Sequence, residues 1–250
     1  MPVAPHSWAA LPDELTDKTI LVTGAAEGIG RAASLAVARC GAEVLLLSRN
    51  EARLEALYDE IVVAGGKEPA ILAMDLAKAT HDDYVTLAGS LSEAIPKLDG
   101  LLHNASLLGD RKPIAQTRAT SWHDVMQVNV NAGFMLTQTL LPLLDQSPSA
   151  SVVFTSSGVG RKGRAYWGSY AVSKFATEGL MQVLADELGA TSNIRVNSLN
   201  PGAVNTSMRR SAYPAEPPTT NPSPEDIIRE WVFLMSDGSN HLNGEALSAQ

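Results

Sequence analysis

The stretch "TILVTGAAEGIGRAA", residues 19–33, decides the fold of this chain. "TILVTG" is a short apolar run typical of a strand buried on both faces, and the residues after it follow a helical pattern. Gly24, Gly28 and Gly30 lie in the turn between the two. Glycine permits a sharp turn, and it lets a pyrophosphate approach the free N–H groups at the start of a helix. Strand, turn and helix together predict a dinucleotide site, with a purely structural turn as the alternative.

The same alternation of apolar runs and helical patterns continues along the chain. Strands are predicted at 19–24, 43–48, 70–75, 100–105, 151–157 and 194–200, and helices at about 28–40, 51–64, 82–96, 121–144 and 167–189. Strands that alternate with helices pair in parallel through right-handed crossovers. We therefore predict an α/β fold over residues 1–250, a single Rossmann-type domain whose doubly wound parallel sheet has helices on both faces.

Composition and charge argue against several classes of protein. Of the 250 residues, 45% are hydrophobic and 18% are charged, and the net charge is −8. Without a long basic run, no nucleic-acid partner is expected. No apolar stretch approaches the roughly 18 residues of a membrane helix, and "MPVAPHSWAALPDEL" has no signal-peptide pattern, so we expect a cytoplasmic protein with no membrane partner. Cys40 has no second cysteine to pair with and is expected to be buried. No metal is expected, because no His, Cys and carboxylate cluster has ligand spacing.

The end of the second predicted strand favours one nicotinamide cofactor over the other. An acidic residue there would bind the ribose hydroxyls and repel a 2′-phosphate. This chain has Ser48 and Arg49 instead, and a hydroxyl with a guanidinium suits a phosphate, so NADP is favoured over NAD. Glu27 argues mildly the other way, and Arg49 could be a solvated loop residue. Asp75 is placed either to bind the adenine amino group or to cap a helix.

The segment "AYWGSYAVSKF" (165–175) contains two tyrosines and one lysine. Tyr170 and Lys174 are four residues apart, so they share one face of a helix. A nearby ammonium favours the phenolate and is expected to lower the tyrosine pKa. Tyr166 has no lysine four residues on, so the spacing selects Tyr170 for proton chemistry. On spacing alone, a packed helix face explains the pair as well.

Six motifs occur together in one order. They are "TGAAEGIG" (23–30), "HNAS" (103–106), "VNV" (128–130), "SS" (156–157), "YAVSK" (170–174) and "NPGAVNT" (200–206). From residue 19 to about residue 244, this arrangement resembles the short-chain dehydrogenase/reductase family, and the longer phrases around "VNV" and "YAVSK" are similar to the YciK-type bacterial oxidoreductases. The resemblance implies an NAD(P)-dependent enzyme that interconverts a carbonyl and a secondary alcohol.

The resemblance also implies catalytic roles. Tyr170 is expected to be the general acid and base, and Lys174 to lower its pKa and bind the nicotinamide ribose. Ser157, which ends the fifth predicted strand, is expected to hydrogen-bond the substrate oxygen. Asn129 is expected to hold a water in a proton relay. Ser156, the neighbour of Ser157, is expected to have a structural role, because adjacent strand residues point to opposite faces of the sheet.

Cofactor contacts are expected along most of the chain. The resemblance places Asn104 and Ala105 beside the ribose and Thr206 at the nicotinamide amide. The full set is Gly24, Glu27, Gly28, Ile29, Gly30, Ser48, Arg49, Asn50, Asp75, Leu76, Asn104, Ala105, Tyr170, Lys174, Pro201, Gly202, Val204 and Thr206. In two places the chain departs from the family pattern.

Members of the family usually have Asn-Asn-Ala-Gly where this chain has "HNAS". The C-terminal "NGEALSAQ" lacks the family's usual Asp-Gly-Gly. Ser106 crowds a position that is usually bare. His103 could be a catalytic base. The favoured interpretation is a histidine of a strand whose hydrogen-bonding groups are satisfied by its neighbours. The changed C-terminus is expected to alter the last contacts and, with them, the subunit interface.

The sequence allows more than one role for several residues near the expected substrate site. Arg161, Lys162 and Arg164 suit an anionic substrate, an exposed loop or a subunit contact equally. Tyr166 and Trp167 either line the pocket or pack between subunits, and packing is favoured. The resemblance implies that a segment at about 204–224 covers the substrate. Its proline-rich part, "YPAEPPTTNPSP" (213–224), reads as a surface loop, either a mobile flap or a rigid connector.

The resemblance implies a small-molecule carbonyl or alcohol substrate and a homodimer or homotetramer, with the two long helices pairing between subunits. Three rival functions are considered. One is a non-catalytic sensor of NADP, which would have no need of the set Asn129, Ser157, Tyr170 and Lys174. A second is an NAD-preferring dehydrogenase of the same fold. The third is an epimerase or sugar-modifying enzyme, which usually has a longer C-terminal substrate region.

Overall fold

The computed structural model describes residues 3–5 and 7–250. Within this part of the chain, seven strands form one sheet in the order β3-β2-β1-β4-β5-β6-β7, and every neighbouring pair is parallel. The strands are β1 (Thr19–Thr23), β2 (Glu43–Ser48), β3 (Ala70–Ala73), β4 (Gly100–His103), β5 (Ala150–Thr155), β6 (Ile194–Asn200) and β7 (Ala246–Ser248). The predicted doubly wound parallel sheet is confirmed. Strand order reverses between β1 and β4, and this opens a crevice at their carboxyl ends.

Helices cover both faces of the sheet. They are α1 (Gly28–Arg39), α2 (Glu51–Val63), α3 (His81–Ala94), α4 (Ala119–Met126), α5 (Ala132–Leu144), α6 (Gly168–Gly189), α7 (Ser207–Ala212), α8 (Pro224–Ile227) and α9 (Arg229–Met235). None of the helices in the described part of the chain is long and apolar enough to cross a membrane.

The core consists of two apolar layers, one on each side of the sheet. Successive strand residues alternate between them, as the two-residue period of a strand requires. Ile20 and Val22 of β1 pack with α1, α2 and α9, whereas Leu21 packs with α3, α5 and α6. All residues of β1 and β5 are buried, which explains why these strands read as unbroken apolar runs. Cys40 is buried in the first layer, as expected.

The structure departs from the predicted elements in several places. The strand predicted at 151–157 ends at Thr155, so Ser157 lies in the loop beyond it. Its own side chain accepts a hydrogen bond from the N–H of Val159 and starts a short 3-10 turn, which ends the extended backbone. The helix predicted at 121–144 is divided into α4 and α5 by a π turn at Gln127–Asn131. β7 and the helices α7 to α9 were not predicted.

The proline-rich segment at 213–224 is irregular apart from a single 3-10 turn, Pro218–Thr220. It ends where α8 begins, with Ser223 and Asp226 forming a capping box around Pro224. Proline is well placed at the first helical position because its missing N–H is not needed there. The last proline of this segment, Pro224, was predicted to lie in a loop but is the first residue of a helix.

Candidate active site

A cleft of about 500 Å³ runs along the carboxyl ends of the strands, across the crevice between β1 and β4. It brings together all but two of the residues that the sequence assigned to catalysis or cofactor binding, and the exceptions are Gly30 and Asn129. Gly30 lies against Gly24 and Asn129 is hydrogen-bonded to Leu107, and both of these partners line the cleft. The residues that meet there come from the glycine turn, the ends of β2 to β4, α6 and the segment after β6.

The glycine turn leaves the floor of the cleft bare. Gly24 and Gly28 have φ angles of +66° and +57°, a conformation that favours glycine. A Cβ on Gly24 would lie 2.9 Å from the Cα of Ala105, and a Cβ on Gly30 would overlap the carbonyl oxygen of Gly24. The side chain of Glu27, which precedes α1, does not cap the helix, so it leaves the first N–H groups to another partner. This cradle fits a pyrophosphate.

One end of the cleft is basic. Ser48, Arg49 and Asn50 line it at the end of β2, and Arg53 joins them from the first turn of α2. Arg53 donates a 3.0 Å hydrogen bond to the carboxylate of Glu27, and both side chains are exposed. The sequence analysis missed Arg53, although its position four residues after Arg49 was a usable signal. Asn50 also caps α2, because its side chain accepts from the N–H of Arg53.

Asp75 lines the same end of the cleft but does not cap a helix. Its carboxylate accepts from the N–H of Ala77 at 3.2 Å and lies 3.5 Å from Lys78. The next helix, α3, is capped by Thr80 and Asp83 instead. The helix-capping role considered for Asp75 is therefore wrong, and a contact with adenine stays a prediction.

The middle of the cleft is fastened to the sheet by Thr23. Its hydroxyl oxygen accepts from the backbone N–H groups of both Asn104 and Ala105 at 3.0 Å. Asn104 in turn donates to the carbonyl oxygen of Gly24 at 3.5 Å. The "HNAS" turn is thereby held against the glycine turn. Thr23, which the sequence analysis did not single out, sets this spacing.

His103 is a core residue rather than a base. Its Nε2 lies 2.8 Å from the hydroxyl of Thr137, which itself donates to the carbonyl of Gly133 and so accepts from the imidazole. The ring stacks on Phe154 with centroids 4.5 Å apart. Burial, together with the charge of Lys174, lowers the pKa of His103 to about 3. The favoured interpretation, a satisfied strand histidine, agrees with these contacts.

Tyr170 and Ser157 both line the cleft, and Lys174 lies one helical turn beyond Tyr170. Burial raises the pKa of Tyr170 to about 12, while the hydroxyls of Ser157 and Ser106 act in the opposite direction. Lys174 donates a 2.7 Å hydrogen bond to the carbonyl of Thr155, and its ammonium is 5.6 Å from the Tyr170 ring centroid. In the protein alone the pKa of Tyr170 is therefore raised and not lowered as expected, because burial outweighs the two hydroxyls.

Lys174 is itself strongly perturbed. Burial lowers its pKa to about 8, and the negative charge of Glu178 opposes the change. An ammonium that titrates near neutrality is a common feature of functional sites, where burial and neighbouring charge are set against each other. The pair Tyr170 and Lys174 thus combines a protonated phenol with a lysine close to its titration point.

Asn129 supports the site from behind. It lies in the π turn, and its side-chain oxygen accepts from the N–H of Leu107 at 2.7 Å. Its amide donates to the carbonyl of Leu107 and to the hydroxyl of Ser173, at 3.0 and 2.9 Å. Both amide hydrogens are thus used to tie the loop after β4 to α6. The relay water expected at Asn129 stays a prediction.

The other end of the cleft is mostly apolar. Its walls include Leu107, Leu108, Trp167, Met208 and Ala212. The Trp167 ring lies 5.7 Å from that of Tyr170 and 6.0 Å from that of Tyr213, so the tryptophan belongs to the pocket. Tyr166, with 58% of its surface exposed, does not line the cleft. Subunit packing, which the sequence analysis favoured for both residues, is therefore wrong for Trp167.

The basic loop before α6 does not line the cleft. Arg161 donates to Glu178 and to the carbonyl of Leu247 in β7, and Arg164 donates to the hydroxyl of Tyr213 at 3.0 Å. Arg209, by contrast, does line the cleft, where Glu216 binds its guanidinium through two hydrogen bonds of 2.7 and 2.6 Å. Arg161 therefore has a structural role, which removes it from the candidates for binding an anionic substrate.

Comparisons with known proteins agree with this geometry. The family model for short chain dehydrogenases matches residues 18–217. The oxidoreductase YciK of Escherichia coli (strain K12) is 51% identical over 238 residues, covering 95% of this chain and 94% of that protein. A short chain dehydrogenase from Shigella flexneri 2a str. 301, complexed with NADP, superposes with a TM-score of 0.94 at 50% identity, covering 96% of this chain and 100% of the other. One from Escherichia coli CFT073, complexed with NADPH, has a TM-score of 0.93 at 51% identity, covering 96% and 99%.

The chain therefore belongs to the short-chain dehydrogenase family, and it is an NAD(P)-dependent oxidoreductase of that family. The predicted likeness to the YciK-type oxidoreductases is confirmed. The prediction of NADP as the nicotinamide cofactor agrees with the two relatives solved with NADP and NADPH. Among the residues that the structure describes, no group of three or more His, Cys, Asp or Glu side chains is placed to hold a metal ion.

Proposed function

We propose that this protein uses NADP(H) to interconvert a small-molecule carbonyl and a secondary alcohol, with Tyr170 as the general acid and base. The observation that carries the proposal is the meeting of Tyr170, Ser157 and Lys174 in the same cleft as the glycine turn. A hydride donor held along that turn would end beside the tyrosine, which is the arrangement that the reaction needs. The apolar walls beyond Tyr170 suit a largely hydrophobic substrate.

The choice of NADP is supported by the charges at the far end of the cleft. A 2′-phosphate there would meet the Ser48 hydroxyl and the guanidinium groups of Arg49 and Arg53. Arginine matches the geometry of a phosphate and favours its negative charge. Glu27 is not an obstacle, because its carboxylate already accepts from Arg53. The NAD-preferring alternative requires that these guanidinium groups do not contribute to binding of the 2′-phosphate.

Bound NADPH would supply the hydride that reduces the carbonyl carbon. The substrate oxygen would accept hydrogen bonds from the hydroxyls of Ser157 and Tyr170. Tyr170 then gives its proton to that oxygen, so that the C=O group becomes CH–OH and the tyrosine becomes a phenolate. The ammonium of Lys174 favours this phenolate electrostatically. A Tyr170 pKa of about 12 keeps the phenol protonated, which is the form in which a proton donor must start.

A homo-oligomer is the proposed assembly, on the strength of the family resemblance. Exposed apolar side chains on α5 and α6 support it. Phe134, Val172, Phe175 and Val183 are between 43% and 54% exposed. Such side chains on two long neighbouring helices are typical of an interface between copies. Light scattering on the purified protein distinguishes a monomer, a dimer and a tetramer.

The test follows NADPH oxidation with a panel of ketones, aldehydes, quinones and α-dicarbonyls. Tyr170→Phe should reduce turnover by about 10²- to 10⁴-fold while NADPH still binds, because only the proton donor is lost. Tyr166→Phe is the matched control, since it makes the same change four residues away on an exposed side chain, and it should leave turnover unchanged.

Two other results would reject parts of the proposal. Turnover by Tyr170→Phe at the wild-type rate would reject Tyr170 as the proton donor. Tight NADPH binding by the wild type without turnover on any compound would favour the NADP sensor. Repeating the assay with NADH decides the cofactor, because equal kcat/KM values for the two nucleotides would reject the NADP preference.

A further inference from the structure

Glu178 is a buried acidic residue next to the catalytic helix turn, and the proposed mechanism gives it no role. It lies on α6 four residues after Lys174, which is itself four residues after Tyr170. Residues with this spacing stack along one face of a helix. Only 6% of the Glu178 surface and 3% of the Lys174 surface are exposed to solvent. Charged groups this deeply buried are rare unless they are paired. Glu178 is paired with Arg161, whereas the ammonium of Lys174 donates to the backbone carbonyl of Thr155.

Three donors hold the Glu178 carboxylate. One oxygen accepts from the Ser156 hydroxyl at 2.5 Å and from Arg161 Nε at 3.1 Å. The other accepts from the Ser198 hydroxyl at 2.6 Å. A guanidinium can only donate, so this set of partners suits the ionised carboxylate, which only accepts. Glu178 is therefore a fixed negative charge at the carboxyl ends of β5 and β6.

Arg161 is held as firmly as the carboxylate. Its remaining nitrogens donate to the carbonyl of Leu247 at 2.5 Å and to the hydroxyl of Ser248 at 3.0 Å. Both acceptors belong to β7, so the short last strand closes the cluster from outside. The geometry of Glu178 is thus fixed by β5, β6, β7 and α6 together.

The other titratable groups around Lys174 carry no negative charge. His103 on β4 is neutral near pH 7, because its pKa is about 3. Tyr170 on the same helix is also neutral, with a pKa of about 12. Arg161 is positive, and its guanidinium forms an ion pair with the Glu178 carboxylate at 3.1 Å. Burial alone would strongly disfavour the ammonium form of Lys174, and Glu178 is the charge that acts against it.

We propose that Glu178 is a positioning residue of the active site, which keeps the ammonium group of Lys174 charged in a buried environment. The residues Tyr170, Lys174 and Glu178 then lie four residues apart along α6, and the charge of Glu178 acts on Lys174. The inference rests on the proposed function, because the charge of Lys174 matters to the reaction only if Tyr170 performs the proton transfer.

The direct test is an NMR titration of Lys174 in protein labelled with ¹³C at the lysine Cε, with the signal assigned by its loss in Lys174→Arg. Glu178→Gln keeps the shape of the side chain and removes its charge. It should lower the Lys174 pKa by about one pH unit. A merely looser helix would admit water and move the pKa upward, toward the ordinary lysine value. The direction of the change therefore separates the two explanations.

Three further variants complete the test. Glu187→Gln makes the same change on an exposed residue of the same helix and should leave the Lys174 pKa in place. Arg161→Gln removes the positive neighbour and should raise it. Glu178→Asp keeps the charge but moves it away, so it should lower the pKa by a smaller amount. If Glu178→Gln does not fold, the aspartate variant decides, and an unchanged or raised pKa in that variant overturns the proposal.

Activity gives a separate readout. In Glu178→Gln, kcat should begin to fall at a pH about one unit lower than in the wild type, with little change at pH 6, where Lys174 stays charged. The NMR titration needs neither substrate nor cofactor. A shifted Lys174 pKa in a protein with no carbonyl reductase activity would therefore reject the proposed function and retain the electrostatic role of Glu178. An active protein with an unshifted pKa would do the reverse.

Discussion

Arg53 donates a 3.0 Å hydrogen bond to the carboxylate of Glu27, which joins the first turn of α2 to the glycine turn. The same carboxylate oxygen accepts from the hydroxyl of Ser207 in α7 at 3.3 Å. Glu27 is thus the point where the basic end of the cleft, the glycine turn and the start of α7 meet. An acidic residue that would otherwise repel a 2′-phosphate is neutralised by a guanidinium.

The first prediction concerns cofactor choice. Arg49→Ala and Arg53→Ala should each weaken NADPH binding by about 10-fold and leave NADH binding within a factor of two, because only NADPH carries the 2′-phosphate. Fluorescence titration of the nucleotide measures both constants. Arg39→Ala, an exposed arginine at the end of α1, is the control and should change neither. A parallel loss of NADH affinity would mean that the two arginines only support the fold.

The second prediction concerns acid stability. His103 is neutral and buried, and its pKa is lowered from the usual 6.5 to about 3. Between these two values the unfolded chain binds a proton that the folded protein does not, so the free energy of unfolding falls as the pH drops through this window. His103→Asn removes the effect. Between pH 7.5 and pH 5, the free energy of unfolding of the variant should therefore fall by about 2 kcal/mol less than that of the wild type.

Urea unfolding at pH 7.5 and pH 5 measures this difference. His123→Asn, at an exposed site on α4, serves as the control and should lose stability on acidification as the wild type does. The same acid loss in His103→Asn would mean that His103 is protonated in the folded protein.

Much of the cofactor site could be predicted from the sequence because parallel strands deliver their carboxyl ends to one edge. Once β1 and β2 are recognised as apolar runs, Gly24 and Ser48 must lie close together. Tyr170 and Lys174 follow from helical spacing in the same way. Arg53 was missed because the prediction covered only the end of β2, whereas Arg53 reaches the cleft from the first turn of α2, four residues after Arg49.

The substrate end could not be predicted because it depends on irregular backbone. The position of Trp167 is set by loops before α6 and after β6, whose conformations no periodic pattern specifies. β7 has only three residues and no apolar run, so it gave no strand signal. The direction of the Tyr170 pKa change depends on burial, which spacing alone does not report.

The third prediction concerns Ser106, which replaces the glycine of the family motif. Its buried hydroxyl is close enough to Tyr170 to act on the pKa of that phenol, but among the described residues it makes no hydrogen bond of normal geometry. A buried unpaired hydroxyl destabilises a protein, so Ser106→Ala should raise the free energy of unfolding by about 1 kcal/mol. Ser156→Ala should lower it by about 1–2 kcal/mol, because it takes a donor from the carboxylate of Glu178. Denaturant titration compares the two variants, and destabilisation by Ser106→Ala would indicate a partner for that hydroxyl.

The last prediction contrasts two glycines that meet opposite surroundings. A Cβ on Gly30 would overlap the carbonyl oxygen of Gly24, whereas a Cβ on Gly89 in α3 would have nothing within 4 Å. Gly30→Ala must therefore move the glycine turn, and it should abolish NADPH binding and lower the free energy of unfolding by about 1–3 kcal/mol. Gly89→Ala should instead raise it by about 0.5–1 kcal/mol, because alanine favours the helix interior. Thermal unfolding with and without NADPH gives both readouts, since a bound nucleotide raises Tm. A Gly30→Ala protein that is stabilised by NADPH as strongly as the wild type would show that the close approach of α1 to the turn is not needed for the cofactor.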